Sequence, residues 1–189
     1  MAHKEQQDFC TSVLTLYPDH FKNKTVLDVG SLDINGNNRS YFTDCHYLGI
    51  DLGSGENVDV VTKTHMFNPE IQYDTIISTE CFEHDKHYVE SLQNIVNMLK
   101  PGGLFLFTCA TEGREEHGTS KSGTPDLSPY TNYIWPNYYK NLNIENIRGA
   151  VDVDNIFSEY QFKVNMESND LYFWGIKKTD GDTENTLGT

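Results

Sequence analysis

The chain has 189 residues, of which 37% are hydrophobic and 12% aromatic, and its formal net charge is -14. This is the composition of one globular domain, with no apolar run long enough to span a membrane and no N-terminal pattern of a secretory signal. The negative charge repels phosphates at long range, so nucleic acid is not expected as an obligatory partner.

The four cysteines are far apart in the sequence: Cys10, Cys45, Cys81 and Cys109. They form no C-x-x-C pair, so no zinc site or redox motif is predicted, and no metal is expected. Unpaired thiols are typical of a reducing compartment, and we expect a cytoplasmic protein.

The first helix is predicted over residues 6–17, because Phe9, Val13 and Leu16 recur at helical spacing and Pro18 follows. Apolar runs then predict five strands, over residues 25–29, 47–50, 58–61, 74–78 and 104–108.

A helical pattern occupies residues 87–100, between the fourth and fifth strands, and Pro101-Gly102-Gly103 is expected to terminate it. Strands that alternate with helices predict an α/β fold, Rossmann-like and doubly wound, with a mostly parallel sheet and helices on both faces.

The C-terminal half begins with a long segment, residues 111–136, which is rich in Gly, Ser, Thr and Pro and carries Tyr130, Tyr133 and Trp135. A loop of this length is usually functional or disordered, and its aromatic residues favour a functional loop that walls a small substrate or packs as a lid.

Two short helices are predicted after this loop, one over residues 137–142 and one that begins at the N-cap Asn143. Residues 160–166 and 171–177 alternate as two strands of an antiparallel hairpin. We therefore predict a single domain over residues 1–178, followed by a disordered tail over residues 179–189.

The most informative motif joins the first two strands. Asp28 and Gly30 close the first strand, and Asp51 closes the second. A glycine after a strand lets the backbone approach a ligand, and an acid at the neighbouring strand end can accept both ribose hydroxyls of an adenosine. A dinucleotide-binding domain would need G-x-G-x-x-G here, but Leu32 and Asn35 occupy the later glycine positions.

Four segments together resemble the class I S-adenosylmethionine-dependent methyltransferases, and most closely the small methyltransferase type 11 group: residues 26–30, 47–51, 74–85 and 99–103. The resemblance covers residues 25–110, and the C-terminal hairpin fits the seven-stranded sheet of that family. One departure is the loop after Gly30, where Leu32 and Ile34 replace glycines and Asn35-Gly36 is expected to make the second turn.

The resemblance implies S-adenosylmethionine as the cofactor and assigns its contacts. Asp28 would orient the amino end, Gly30, Ser31 and Asn35 would border the methionine part, and Asp51 would hold the ribose. The remaining cofactor contacts implied are Leu52, His65, Met66, Glu80 and Cys81.

Methyl transfer mainly requires alignment of the acceptor and exclusion of water, and oxygen or nitrogen acceptors can also need a base. The loops after the fourth and fifth strands leave the same sheet edge and supply the candidates His117, His84 and Glu80. The segment Glu83-His84-Asp85 is open to two interpretations, a metal or base cluster and a structural loop.

Three functions are compatible with these features. A methyltransferase acting on an oxygen or nitrogen of a small molecule is favoured by the aromatic loop and the acidic charge. The alternatives are a methyltransferase acting on a macromolecule and a module that binds S-adenosylmethionine without turnover.

Overall fold

A computed structural model describes residues 3–182 of the chain. The first strands and helices alternate as predicted: α1 Lys4–Leu16, β1 Thr25–Val29, β2 His46–Asp51, β3 Val60–Val61, β4 Tyr73–Thr79, α2 Tyr88–Met98 and β5 Leu99–Ala110. Three short helices and a hairpin follow: α3 Pro129–Ile134, α4 Ile144–Ala150, α5 Val153–Ile156, β6 Phe157–Asn165 and β7 Asp170–Lys177. Single 3-10 turns occupy Pro18–Phe21, Arg39–Tyr41, Thr64–Met66, Phe82–His84, Pro125–Leu127 and Asp180–Asp182.

The seven strands form one sheet in the order β3-β2-β1-β4-β5-β7-β6. Strands β1 to β5 pair in parallel, whereas β7 runs antiparallel to β5 and to β6. The predicted Rossmann-like fold with a C-terminal antiparallel hairpin is therefore confirmed. Since β2 and β4 flank β1, the strand order reverses at β1, and the crevice at the carboxyl ends of these strands is where such sheets bind ligands.

Helices cover both faces of the sheet because the buried strands alternate apolar side chains between two cores. Leu27 and Val29 of β1 pack in the core that contains Leu92 and Ile95 of α2. The intervening Val26 packs in the second core, with Phe9 and Val13 of α1. Helix α1 thus lies on the face opposite α2, where it can reach the carboxyl edge of the sheet. Within residues 3–182, no helix has the length and apolarity that crossing a membrane requires.

Helix α2 ends earlier than predicted. Helix α2 stops at Met98, and Leu99 already pairs with Tyr73 as part of β5. The register then jumps from Leu99 to Leu104, so Pro101-Gly102-Gly103 forms a bulge within β5 instead of the end of the helix. Strand pairing of Leu99 therefore takes precedence over continuation of the helix.

The helix predicted over residues 137–142 is wrong. Asn137 has a left-handed backbone (φ 56°), and residues 138–142 form neither helix nor strand. The backbone N–H of Lys140 donates to Glu83 O at 2.9 Å and that of Leu142 to Ala110 O at 2.9 Å. These tertiary hydrogen bonds use donors that a helix would need. The helix that begins after Asn143 is present, with a capping box between Asn143 and Asn146.

The C-terminal tail can be followed only in part. The residues of the predicted disordered tail that the structure describes, up to Asp182, include the 3-10 turn Asp180–Asp182. Residues 183–189 lie outside the described residues.

Candidate active site

A cavity of about 460 Å³ lies at the carboxyl ends of β1, β2 and β4. It is lined by the loops that follow these strands and by Gln6, Gln7 and Thr11 of α1. Residues 127–131 and Trp135 also line it. The sequence predicted that the strand ends meet here, but it did not indicate that α1 contributes to the cavity.

The loop after β1 begins with a tight turn at Gly30, whose φ is 76°. The N–H groups of Gly30 and Ser31 both donate to Ile50 O, at 2.9 and 3.1 Å, which holds this loop against β2. The second turn, predicted at Asn35-Gly36, is present and is closed by the Gly36 N–H, which donates to Asp33 Oδ1 at 2.6 Å. Both Asn35 and Gly36 line the cavity.

Asp28 is buried and lies at the centre of a polar network. Its carboxylate accepts from Asn38 Nδ2 at 3.1 Å, from Asn57 Nδ2 at 3.4 Å and from the Tyr47 hydroxyl. Burial raises the pKa of Asp28 to about 6, although these donors favour the ionised form. Asn57 Nδ2 also donates to Ser31 O at 2.9 Å, so the network joins the loop after β1 to the segment before β3.

Asp51 closes β2 and faces the cavity with few protein partners. It accepts from the Leu32 N–H at 3.2 Å and from the Gly53 N–H at 3.4 Å, both long hydrogen bonds. Burial raises the pKa of Asp51 above its ordinary value. Nearby, Ser31 Oγ is buried without a hydrogen-bond partner among the described residues. The two side chains therefore retain hydrogen-bonding capacity for a ligand.

The turn after β4 places Glu80 and Cys81 in the cavity wall. Glu80 has a left-handed backbone (φ 51°), and its Oε1 accepts from Thr108 Oγ1 at 2.8 Å. Its Oε2 is buried and has no hydrogen-bond partner within residues 3–182. The Cys81 side chain packs directly against Gly30, where a Cβ would lie 2.4 Å from the sulfur. Burial raises the pKa of the Cys81 thiol well above its ordinary value, so this thiol is neutral.

Tyr130, in the aromatic segment, lines the cavity and contacts the segment after β2. Its hydroxyl donates to Ser54 O at 2.6 Å, and its ring lies against Gly53, where any Cβ would be 2.3 Å from the ring. Trp135 also lines the cavity. Tyr133 is 86% exposed and does not line the cavity, so of the three aromatic residues of the loop only Tyr130 and Trp135 are placed to border a substrate.

Three of the predicted site residues are not among those that line the cavity: His117, His65 and Met66. Met66 is 67% exposed, and the His65 ring packs on His87 at 4.3 Å between centroids. Thr62 and Thr64, from the same segment, line the cavity in their place. The 3-10 turn Thr64–Met66 rotates His65 and Met66 away, a local geometry that no sequence pattern indicated.

His117 lies behind the cavity wall, in a buried cluster with Glu83 and His84. The rings of His117 and His84 are 5.0 Å apart, and His117 Nε2 is 4.0 Å from Glu83 Oε1. Of the two histidines, only His84 lines the cavity. Burial lowers the pKa of His84 to about 3 and raises that of Glu83 to about 8, with the Glu80 carboxylate adding to the latter shift.

The sheet order, the reversed last strand and the cavity beside Asp51 define the class I methyltransferase type of Rossmann-like domain. Residues 1–172 match the family model described as a methyltransferase domain, and the chain belongs to this family. The prediction of a class I methyltransferase with S-adenosylmethionine as cofactor is thereby confirmed. A comparison with curated proteins gives no match.

Solved structures with the same fold include several methyltransferases. The N-methyltransferase NodS from Bradyrhizobium japonicum in complex with S-adenosyl-l-homocysteine is 12% identical, with 92% of this chain and 87% of that chain covered and a TM-score of 0.56. The 1,6-didemethyltoxoflavin-N1-methyltransferase from Burkholderia thailandensis is 17% identical, with 92% and 87% covered and a TM-score of 0.58.

A third structure is phosphoethanolamine N-methyltransferase 2 from Haemonchus contortus in complex with S-adenosyl-L-methionine. It is 16% identical, with 91% of this chain but 53% of that chain covered and a TM-score of 0.60. At these identities the similarity establishes the fold alone.

Proposed function

We propose that this methyltransferase transfers the methyl group of S-adenosylmethionine to an oxygen or nitrogen atom of a small molecule. The observation that carries the proposal is a concave cavity of about 460 Å³ that is lined by residues of α1 and by residues 127–131 and Trp135. The hydrogen bond from the Tyr130 hydroxyl to Ser54 O joins α3 to the segment after β2. A cavity of this size suits a small ligand beside the cofactor better than an extended polymer.

The side chains that line the cavity fit the cofactor. The Asp51 carboxylate can accept both ribose hydroxyls, because its protein hydrogen bonds are long and few. The unpartnered Ser31 Oγ and the backbone at Gly30 border the methionine part. Bound S-adenosylmethionine supplies an electrophilic methyl carbon. This chain therefore has to bind the cofactor and the acceptor, orient them and exclude water.

The role of Asp28 follows from its network. Its oxygens already accept hydrogen bonds from Asn38, Asn57 and Tyr47. We therefore propose that Asp28 stabilises the conformation of the loop after β1. Any contact with the amino end of the cofactor would come in addition to these bonds.

Of the predicted proton acceptors, we favour Glu80, because it lines the cavity. Its Oε2 has no hydrogen-bond partner among the described residues and lies 3.8 Å from His3 Nε2. His84 also lines the cavity and is neutral at physiological pH, but its lowered pKa makes it a reluctant base. His117 could act only through Glu83 or His84.

The two alternative functions are a methyltransferase that acts on a macromolecule and a module that binds S-adenosylmethionine without turnover. They make different predictions for the surface and for product release. A macromolecular substrate would need an open, complementary face, and the net charge of -14 disfavours nucleic acid. A module without turnover would bind the cofactor but release no product.

The test is release of S-adenosylhomocysteine from S-adenosylmethionine across a panel of small oxygen and nitrogen nucleophiles. We expect turnover with at least one class of small acceptor, and none with an Asp51→Ala preparation purified in the same way, which controls for contaminating enzymes. Turnover with protein or nucleic acid acceptors alone would contradict the proposal. Binding of the cofactor without turnover across the whole panel would favour the non-catalytic module.

A further inference from the structure

We propose that Glu83, His84 and His117 bind a divalent transition-metal ion behind the wall of the cavity. Each residue offers one ligand atom, and these three atoms lie within 4.8 Å of one another. One carboxylate and two imidazoles form a ligand set that holds zinc in many enzymes. No metal was predicted from the sequence, although Glu83-His84-Asp85 was left open as a metal or base cluster. His117, which completes the ligand set, comes from a different loop.

Glu83 is the strongest reason to expect a cation here. Its side chain is fully buried, and neither Oε1 nor Oε2 has a hydrogen-bond partner among the described residues. A buried carboxylate without a partner is unfavourable unless a cation or hydrogen-bond donors compensate it. The hydrogen bond from Lys140 N–H to Glu83 O fixes the backbone, so the carboxylate is held in this environment.

The two histidines are oriented as metal ligands usually are. His117 Nδ1 is 3.1 Å from Glu115 O and can donate to it, which leaves the Nε2 lone pair directed towards Glu83. A hydrogen bond of this kind fixes the tautomer and ring orientation of metal-bound histidines. His84 Nδ1 is buried and has no hydrogen-bond partner within residues 3–182.

Packing holds both rings in place. The Tyr139 ring contacts His84 and His117, with centroid distances of 5.5 and 5.0 Å. Gly118 passes so close to His84 that an added Cβ would lie 2.7 Å from Cε1. The ligand atoms are therefore preorganised, which favours ion binding because little ordering is required.

A second group of candidate metal ligands differs because neighbouring cations already compensate its carboxylate charge. His3, Glu80 and Asp170 also lie close together. There, His3 Nε2 is 3.0 Å from Asp170 Oδ2, and Arg114 Nη1 is 3.1 Å from Asp170 Oδ1. Side-chain cations already compensate that carboxylate, so the group needs no metal.

The donor set indicates the class of ion. Imidazole ligands suit zinc and similar transition metals, whereas magnesium and calcium prefer oxygen ligands throughout. Three protein ligands leave a position open in a tetrahedral site. Because His84 also lines the cavity, the bound ion would lie next to the cavity wall.

The test is calorimetric titration of the full-length, chelator-treated and desalted protein with ZnCl2 and, separately, with MgCl2. We expect one equivalent of zinc to bind and magnesium to bind far more weakly. Zinc should also raise the thermal unfolding midpoint, because an ion that binds only the folded state stabilises it.

Glu83→Gln and His117→Ala should each weaken zinc binding by about 100-fold or more, since even second-shell changes weaken metal sites by about 10–100-fold. The matched controls His65→Ala and Glu90→Gln, both outside the cluster, should bind like the unmodified protein. Glu83→Gln keeps the shape of the side chain and introduces no charge, so the variant should fold. Circular dichroism without metal verifies this. Absence of stoichiometric zinc binding would overturn the proposal. So would zinc binding by Glu83→Gln and His117→Ala that is as tight as binding by the unmodified protein.

Discussion

Replacing Asp51 with Ala is expected to weaken binding of S-adenosylhomocysteine by about 100-fold or more. The variant loses two hydrogen bonds between a charged carboxylate and the ribose, each worth about 1.5–3 kcal/mol at most. The Leu32 and Gly53 N–H groups also lose their acceptor, which loosens the loop around the ligand. Titration calorimetry on the purified protein measures the change in Kd.

The matched control is Asp19→Ala. Asp19 is exposed and lies in the 3-10 turn Pro18–Phe21 before β1, outside the cavity. The control should bind S-adenosylhomocysteine like the unmodified protein, and both variants should give the same circular dichroism spectrum. Normal affinity in Asp51→Ala would show that the ribose lies elsewhere.

Gly30→Ala is expected to lower both stability and cofactor binding. The φ of 76° at this position carries a penalty of about 1–2 kcal/mol for any residue with a Cβ. The new methyl group would lie 2.4 Å from Cys81 Sγ and 2.7 Å from Cys81 Cβ. Overpacking of this kind costs about 1–3 kcal/mol, so the free energy of unfolding should fall by about 2–5 kcal/mol in total.

Gly149→Ala is a control for which the free energy of unfolding should rise instead of fall. Gly149 lies within α4, and an added Cβ would meet nothing within 4 Å. Alanine in a helix should stabilise the protein by about 0.5–1 kcal/mol. Denaturant unfolding compares the two variants, and a Gly30→Ala protein as stable as the unmodified chain would mean that the turn after β1 differs from the one described.

The sheet could be predicted from the sequence because its strands are short apolar runs bounded by turn residues. Three of these runs contain Leu27, Ile76 and Leu106, which are fully buried in the structure, as the composition of the runs indicated. The two C-terminal strands pair as an antiparallel hairpin. Residues 160–166 alternate in polarity, whereas β7 is almost entirely buried instead of alternating. Local patterns sufficed here because each strand carries its own signal.

The site was predictable only where it lies at the ends of these strands. Asp28, Gly30, Asp51 and Glu80 line the cavity because parallel strands bring their carboxyl ends together. The polar network around Asp28 could not be foreseen, since Asn38 and Tyr47 reach it from other elements. The same applies to Gln6 of α1, which is separated from the strand ends in sequence and joins the site only through packing of the helix.

The expectations for Tyr133 and His117 differ from the structure for the same reason, since their positions depend on contacts between segments distant in sequence. Tyr133 and Trp135 have similar sequence surroundings, but α3 turns Tyr133 to solvent and leaves Trp135 at the cavity. His117 was expected at the acceptor end, yet the long loop carries it behind the wall to Glu83. Loop conformation depends on tertiary contacts that no local pattern encodes.

The most direct test of the central claim is a crystal structure of the protein with S-adenosylhomocysteine bound. We expect the ribose hydroxyls within hydrogen-bond distance of the Asp51 carboxylate and the homocysteine part beside Gly30 and Ser31. Electron density for the ligand anywhere else, or an empty cavity at saturating ligand, would contradict the account.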